Sequence, residues 1–134
     1  LPSVSWAPIA LVSALTGQRC PKIYDAIDTS VENHRQRFKT SVLNDVLQDT
    51  VRWQPPPILR KGGGQGKIYY CNQVGRSPPT VAMFCNRASF FSDNYKRFVE
   101  RKFRESLGFE GTPVRFLWRG KRVRTLERDK KRGR

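Results

Sequence analysis

Apolar positions recur along this chain at two spacings, every three to four residues in three stretches and every second residue in two others. Ile23, Tyr24, Ile27 and Val31 mark an amphipathic helix from about Pro21 to Arg37, with Asp25, Asp28 and Glu32 on its other faces. A second helix starts at Thr40 or Ser41, either of which can cap it, and carries Val42, Leu43, Val46, Leu47 and Val51 on one side. Gln54-Pro55-Pro56-Pro57 ends it, because proline has no amide hydrogen and moves the preceding residue out of helical geometry. Lys67 to Val74 and Thr80 to Asn86 alternate like strands on either side of Arg76-Ser77-Pro78-Pro79, which predicts an antiparallel pair. A long helix capped by Ser92 or Asp93 follows, with Tyr95, Phe98, Val99, Phe103 and Leu107 as its apolar stripe. Gly108 or Gly111 stops it, and Pro113 to Arg119 reads as the last strand. Residues 39–120 therefore predict an α+β unit of order α-β-β-α-β, two helices against one face of a three-stranded sheet.

The two ends behave differently. Trp6 to Val12 is a short apolar run closed by Ser13-Ala14-Leu15-Thr16-Gly17, which reads as a buried strand ending in a polar turn. A strand, a turn and one helix cannot bury themselves. Residues 1–38 are thus expected to be the end of a domain whose remainder precedes Leu1, within a longer polypeptide. Residues 121–134 form a basic tail with little apolar surface, expected to be disordered when free in solution. Arg60-Lys61-Gly62-Gly63-Gly64-Gln65-Gly66 reads as a flexible loop.

Charge changes the picture more than composition does. With 134 residues, 37% of them hydrophobic, the chain can bury a core, and no apolar run approaches the roughly 20 residues that span a bilayer. The net charge is +15, and residues 61–134 hold nineteen Lys and Arg against six Asp and Glu. Such an excess repels itself unless a polyanion neutralises it, so nucleic acid is the leading partner and anionic lipid the weaker one. Cys20, Cys71 and Cys85 show no paired spacing, and with the single His34 they make a poor zinc site. They read as reduced thiols, and His34 as a solvated helix residue that lacks a nucleophile to serve.

Two glycine motifs and one arginine stripe bear on chemistry. Gly66-Lys67 is not a phosphate-binding P-loop, because the required first glycine is Lys61, the hydroxyl position is Ile68, and a strand follows. Gly108-Phe109-Glu110-Gly111 matches the Gly-x-x-Gly with which KH domains clamp an RNA backbone, but it lies between a helix and a strand and carries an acid. A glycine helix stop followed by a turn explains it as well. Arg97, Arg101 and Arg104 fall on one edge of the long helix, opposite its apolar stripe, where they can grip phosphates at successive turns. Arg119, Lys121, Arg122, Arg124, Lys130, Lys131 and Arg132 add phosphate contacts without sequence specificity. Tyr69, Tyr70 and Trp118 can stack on bases or fill the core.

In order along the chain, Ser13-Ala14-Leu15-Thr16-Gly17, Thr40-Ser41-Val42-Leu43-Asn44, Pro55-Pro56-Pro57, Lys67-Ile68-Tyr69-Tyr70, Pro78-Pro79-Thr80, Phe84-Cys85-Asn86, Tyr95 and Gly108 to Arg115 resemble the C-terminal part of the Der (EngA) GTPases. That family has two tandem GTPase domains followed by a KH-like domain and acts in assembly of the large ribosomal subunit. The resemblance implies that Ser13, Ala14 and Leu15 belong to the last guanine-nucleotide motif. It also implies GTP or GDP with magnesium in the full-length protein, and large-subunit ribosomal RNA and ribosomal proteins as partners. The P-loop, magnesium-binding and Asn-Lys-x-Asp segments are not in this sequence, so the fragment alone is expected to bind no cofactor and to hydrolyse no GTP. The glycine loop and long basic tail exceed the compact bacterial pattern, which points to an organellar member, mitochondrial matrix ahead of plastid stroma, with a bacterial cytoplasm behind both. A permanent structural component of an organellar ribosome is the alternative, and a DNA-binding module, lacking a helix-turn-helix or zinc pattern, ranks below both.

Overall fold

In the computed structural model, which describes residues 4–60 and 63–120, the sheet has the order β3-β4-β5 and two helices cover one of its faces. The chain runs α1 (Pro21–Arg35), α2 (Thr40–Trp53), β1 (Ile58–Leu59), β2 (Gly64–Gln65), β3 (Ile68–Gly75), β4 (Thr80–Cys85), α3 (Asp93–Leu107) and β5 (Arg115–Gly120). β3 and β4 are antiparallel, whereas β5 lies parallel to β4 because α3 carries the chain back across the sheet. This is the α-β-β-α-β order that the sequence predicts, with β5 added beside the middle strand.

Leu43 and Leu47 of α2 and Tyr95, Phe98, Val99 and Phe103 of α3 bury themselves against Cys71, Val81, Met83 and Cys85. Aromatic pairs close the layer, with Phe103 edge-on to Phe116 at 5.8 Å and Phe91 at 5.0 Å from Trp118. Burial pushes the Cys71 thiol up to about 12. The Cys85 thiol is raised by the same cause, with Lys96 opposing it, so both act as small apolar fillers.

The outer edge of β3 is finished by a side chain. Asn44 of α2 accepts from the Cys71 amide at 2.9 Å and donates to the Cys71 carbonyl at 3.0 Å, as a neighbouring strand would. Gln73, nearly buried, accepts from the Phe38 amide and donates to the Gln36 carbonyl, both at 2.9 Å. One amide side chain thus fixes the link between α1 and α2 to the sheet.

Three expectations are corrected here. Trp6 to Val12 forms no strand: residues 7–13 have no regular structure, and Ile9 and Leu11 are largely exposed, because no strand among the described residues is there to pair with them. Neither Thr40 nor Ser41 caps α2, whose N-cap is Lys39 without a side-chain bond. Within the glycine segment, Gly64 and Gln65 are strand rather than loop, pairing antiparallel with Leu59 and Ile58, while Lys61 and Gly62 lie outside the described residues. Gly66 lies so close to Phe91 that a Cβ there would meet the ring at 2.8 Å. The basic tail lies outside the described residues.

Replacing Leu43 by Ala should lower unfolding free energy by about 2–5 kcal/mol in urea titrations, since it opens a cavity in the core. Val42→Ala, at a 40% exposed position on the same helix, should change it by no more than about 0.5 kcal/mol.

Candidate nucleic-acid interface

The long helix begins as its sequence predicts. The Ser92 hydroxyl accepts from the Tyr95 amide at 3.2 Å, and Gly108, in the left-handed region at φ 64°, ends the helix. Burial of Tyr95, Phe98, Val99 and Phe103 turns Arg97 and Arg101 to solvent. Arg101 lies 3.9 Å from Glu105, an exposed pair that contributes little to stability.

Arg104 does something different from its two neighbours. Its guanidinium donates to the Phe109 carbonyl at 3.2 Å and to the Thr112 carbonyl at 3.1 Å, so it grips the loop that follows its own helix. Burial holds the Arg104 guanidinium below its ordinary value, with Glu100 opposing the shift. Burial also raises the Glu100 carboxyl, against the influence of Trp118, Arg104, Lys96 and Arg97. The stripe is therefore two exposed arginines beside a half-buried acid, with the third arginine committed to the fold.

The Gly108 to Gly111 loop is a helix stop and turn held from a second side by α1. Asn33 donates to the Glu110 carbonyl at 2.7 Å, and the Gly111 amide donates to the Trp6 carbonyl at 2.8 Å. Gly111 has φ 77°, and a Cβ there would collide with the Ser30 hydroxyl. His34 is corrected as well: it is half-buried, its Nδ1 lies 2.9 Å from the Thr112 hydroxyl, and its carbonyl accepts from the Ser77 amide at 3.1 Å. An arrangement that clamps RNA in KH domains is occupied here by the chain's own backbone and side chains.

Among the described residues, no helix covers the other face of the sheet. Register places Tyr70, Phe84 and Arg119 in one row across the three strands, Asn72, Ala82 and Leu117 in the next, and Gly75, Thr80 and Arg115 in the third. Tyr70 stacks on Phe84 at 4.5 Å, with ring planes 16° apart. Trp118 alternates to the covered face, where Lys96 lies 5.8 Å from its ring, and so fills the core. Arg119 is thus on the opposite side of the sheet from Arg97 and Arg101. Sequence reasoning named Tyr70 as able to stack on a base or fill the core but missed its pairing with Phe84, although the alternation of Arg115, Leu117 and Arg119 with Phe116 and Trp118 signalled which face each occupies.

At the other end of the chain, Ser13 closes a tight turn. Its hydroxyl accepts from the Thr16 amide at 3.3 Å and its amide donates to the Gln18 carbonyl at 3.0 Å, which leaves Ala14 and Leu15 exposed at the tip. The turn can offer backbone to a flat ring edge, and it holds no cationic or acidic side chain for phosphate or magnesium. Among the described residues, no cluster of three or more His, Cys, Asp or Glu could hold a metal ion, and no helix is long and apolar enough to cross a membrane.

A three-stranded mixed sheet backed by two helices, with a basic surface and a Gly-x-x-Gly turn after its long helix, defines a KH-like unit. Residues 37–119 match the family model described as the KH-domain-like region of EngA bacterial GTPase enzymes, C-terminal, and the chain belongs to that family. It is 53% identical over 124 residues to a protein named GTPase Der from Rippkaea orientalis, and 54% identical over 122 residues to one of the same name from Nostoc sp.. These alignments cover 92% and 91% of this chain and 27% of each relative, so the chain spans about a quarter of their length.

Gly111→Ala should destabilise the chain more than Gly108→Ala in thermal unfolding. Both force a side chain to positive φ, but only position 111 also meets a neighbour within 4 Å. Equal losses at the two positions would show that the contact with Ser30 carries no weight.

Proposed function

We propose that this chain is the C-terminal region of a GTPase that acts in biogenesis of the large ribosomal subunit and docks on ribosomal RNA. The observation that carries the reading is the +13 of residues 61–134 on a unit belonging to the EngA C-terminal family. Arg97 and Arg101 supply phosphate contacts from α3, and the cations Arg119, Lys121, Arg122, Arg124, Lys130, Lys131 and Arg132 supply more. Arg104 serves instead by keeping the loop folded. Ser13, Ala14 and Leu15 contribute to the guanine site of the full-length protein, where GTP or GDP with magnesium is held by segments this chain does not contain. Nucleotide exchange there changes how the KH-like unit is presented to RNA. The relatives named above are cyanobacterial, which favours a bacterial cytoplasm or a plastid stroma over the mitochondrial matrix.

Full-length protein sedimented with ribosomes should join immature large subunits in the presence of a non-hydrolysable GTP analogue and leave them with GDP. Salt-resistant association with mature ribosomes under both nucleotides would overturn this in favour of a permanent ribosomal component. Changing Arg97 and Arg101 together to Glu should lower RNA affinity at unchanged thermal stability and reduce the salt slope by about two. Deleting residues 122–134 should reduce the slope further. An unchanged slope in both variants would remove these cations from the RNA contact.

A further inference from the structure

The open face of the sheet combines features that phosphate contact alone does not require. Tyr70 is 49% exposed although it is stacked on Phe84, and Leu117 in the next row is 37% exposed. Aromatic and apolar groups of this size are ordinarily covered when a sheet face has a protein layer to meet. Arg119 stands next to Phe84 in the same row, and Arg115 ends the third row; both are exposed. Arg87 adjoins the end of β5, since a Cβ on Gly120 would meet its Cα at 3.3 Å. β3, β4 and β5 contain no Asp or Glu at all, so nothing on these strands repels a polyanion. His34 of α1 engages Ser77 and Thr112 near the opposite end of the sheet.

We infer that this face is a binding platform for single-stranded RNA, on which an unpaired base stacks against Tyr70 while Arg119 and Arg115 neutralise its phosphates. The inference rests on the RNA-docking function proposed above and gives it a substrate class, an unpaired segment in place of a duplex. Every base offers a π-face to a ring, so the platform is tolerant of sequence. A duplex hides its base faces and would meet only the arginines.

The test is fluorescence anisotropy of the 134-residue chain with a labelled ten-nucleotide oligouridine and with a blunt RNA duplex. The chain should bind the single strand more tightly than the duplex. Tyr70→Leu should weaken single-strand binding about tenfold and leave the salt slope unchanged, because a stacking contact is lost and no phosphate contact is. Tyr70→Phe, which keeps the ring, should bind within about twofold of the parent. Arg119→Gln should weaken binding and reduce the slope by about 0.7. Melting curves of each variant separate loss of fold from loss of contact. Should Tyr70→Leu prove unfolded, the Arg119→Gln slope and the preference for single strand over duplex decide the matter. Parent-like binding by folded Tyr70→Leu, or equal affinity for duplex and single strand, would overturn the platform and leave phosphate docking, with the sheet face free for a protein surface. Failure of the parent chain to bind either RNA would overturn the docking function and the platform together.

Discussion

The fold's use of its basic surface depends on how the loop from Gly108 to Thr112 is held. Phe109 and Thr112 are both essentially buried, so the turn between them must satisfy its backbone inside the protein. Arg104 donates to the Phe109 and Thr112 carbonyls from the helix side, Asn33 of α1 donates to the Glu110 carbonyl, His34 of α1 meets the Thr112 hydroxyl, and the Gly111 amide donates to the Trp6 carbonyl. Phe38, from the link between α1 and α2, closes the joint by packing edge-on against Phe109 at 5.1 Å. A partly buried guanidinium gripping two carbonyls is costly to leave unpaired, and Asn33 and His34 tie the same turn to α1.

That constraint redistributes the arginines. Helical spacing puts Arg97, Arg101 and Arg104 on one edge, but the position closest to the helix end finds carbonyl acceptors within reach and is withdrawn from solvent. The remaining two point away from the sheet, and Arg115 and Arg119 point away from the helices on its other side. The unit therefore presents two basic surfaces on opposite sides of one core, in place of a single stripe. Among the described residues, α1, whose apolar residues Ile23, Tyr24, Ile27 and Val31 are exposed, is hydrogen-bonded to the unit through Asn33 and His34 near its C-terminal end. Any domain that packs on those residues is thereby given a fixed orientation toward both basic surfaces.

Much of this was legible in the sequence, because it rests on local chemistry. Ser92 and Gly108 bound α3 through a cap hydroxyl and a left-handed turn, and both act within four residues. The alternation in β3 and β4 follows from one buried face. What escaped was set by contacts distant in sequence. The apolar run Trp6 to Val12 has strand composition, yet a strand exists only where another can pair with it. His34 reads as solvated until Thr112, 78 residues away, is placed beside it. Asn44 gives no sign in the sequence that it completes a sheet edge. Tyr70 and Phe84 lie in separate strands, and only the register, with its irregularity between Ile68 and Tyr70, brings their rings together.

The most direct measurement is a map of backbone amide shifts in the 134-residue chain as a short single-stranded RNA is added. The largest changes should fall at Tyr70, Phe84, Leu117 and Arg119, while Gly108 to Thr112 and Ser30 to Asn33 stay unmoved because the joint remains closed. Changes concentrated at Gly108 to Gly111, with loss of protection at the Gly111 amide, would contradict the account. They would mean that RNA opens the joint and uses the glycine turn itself.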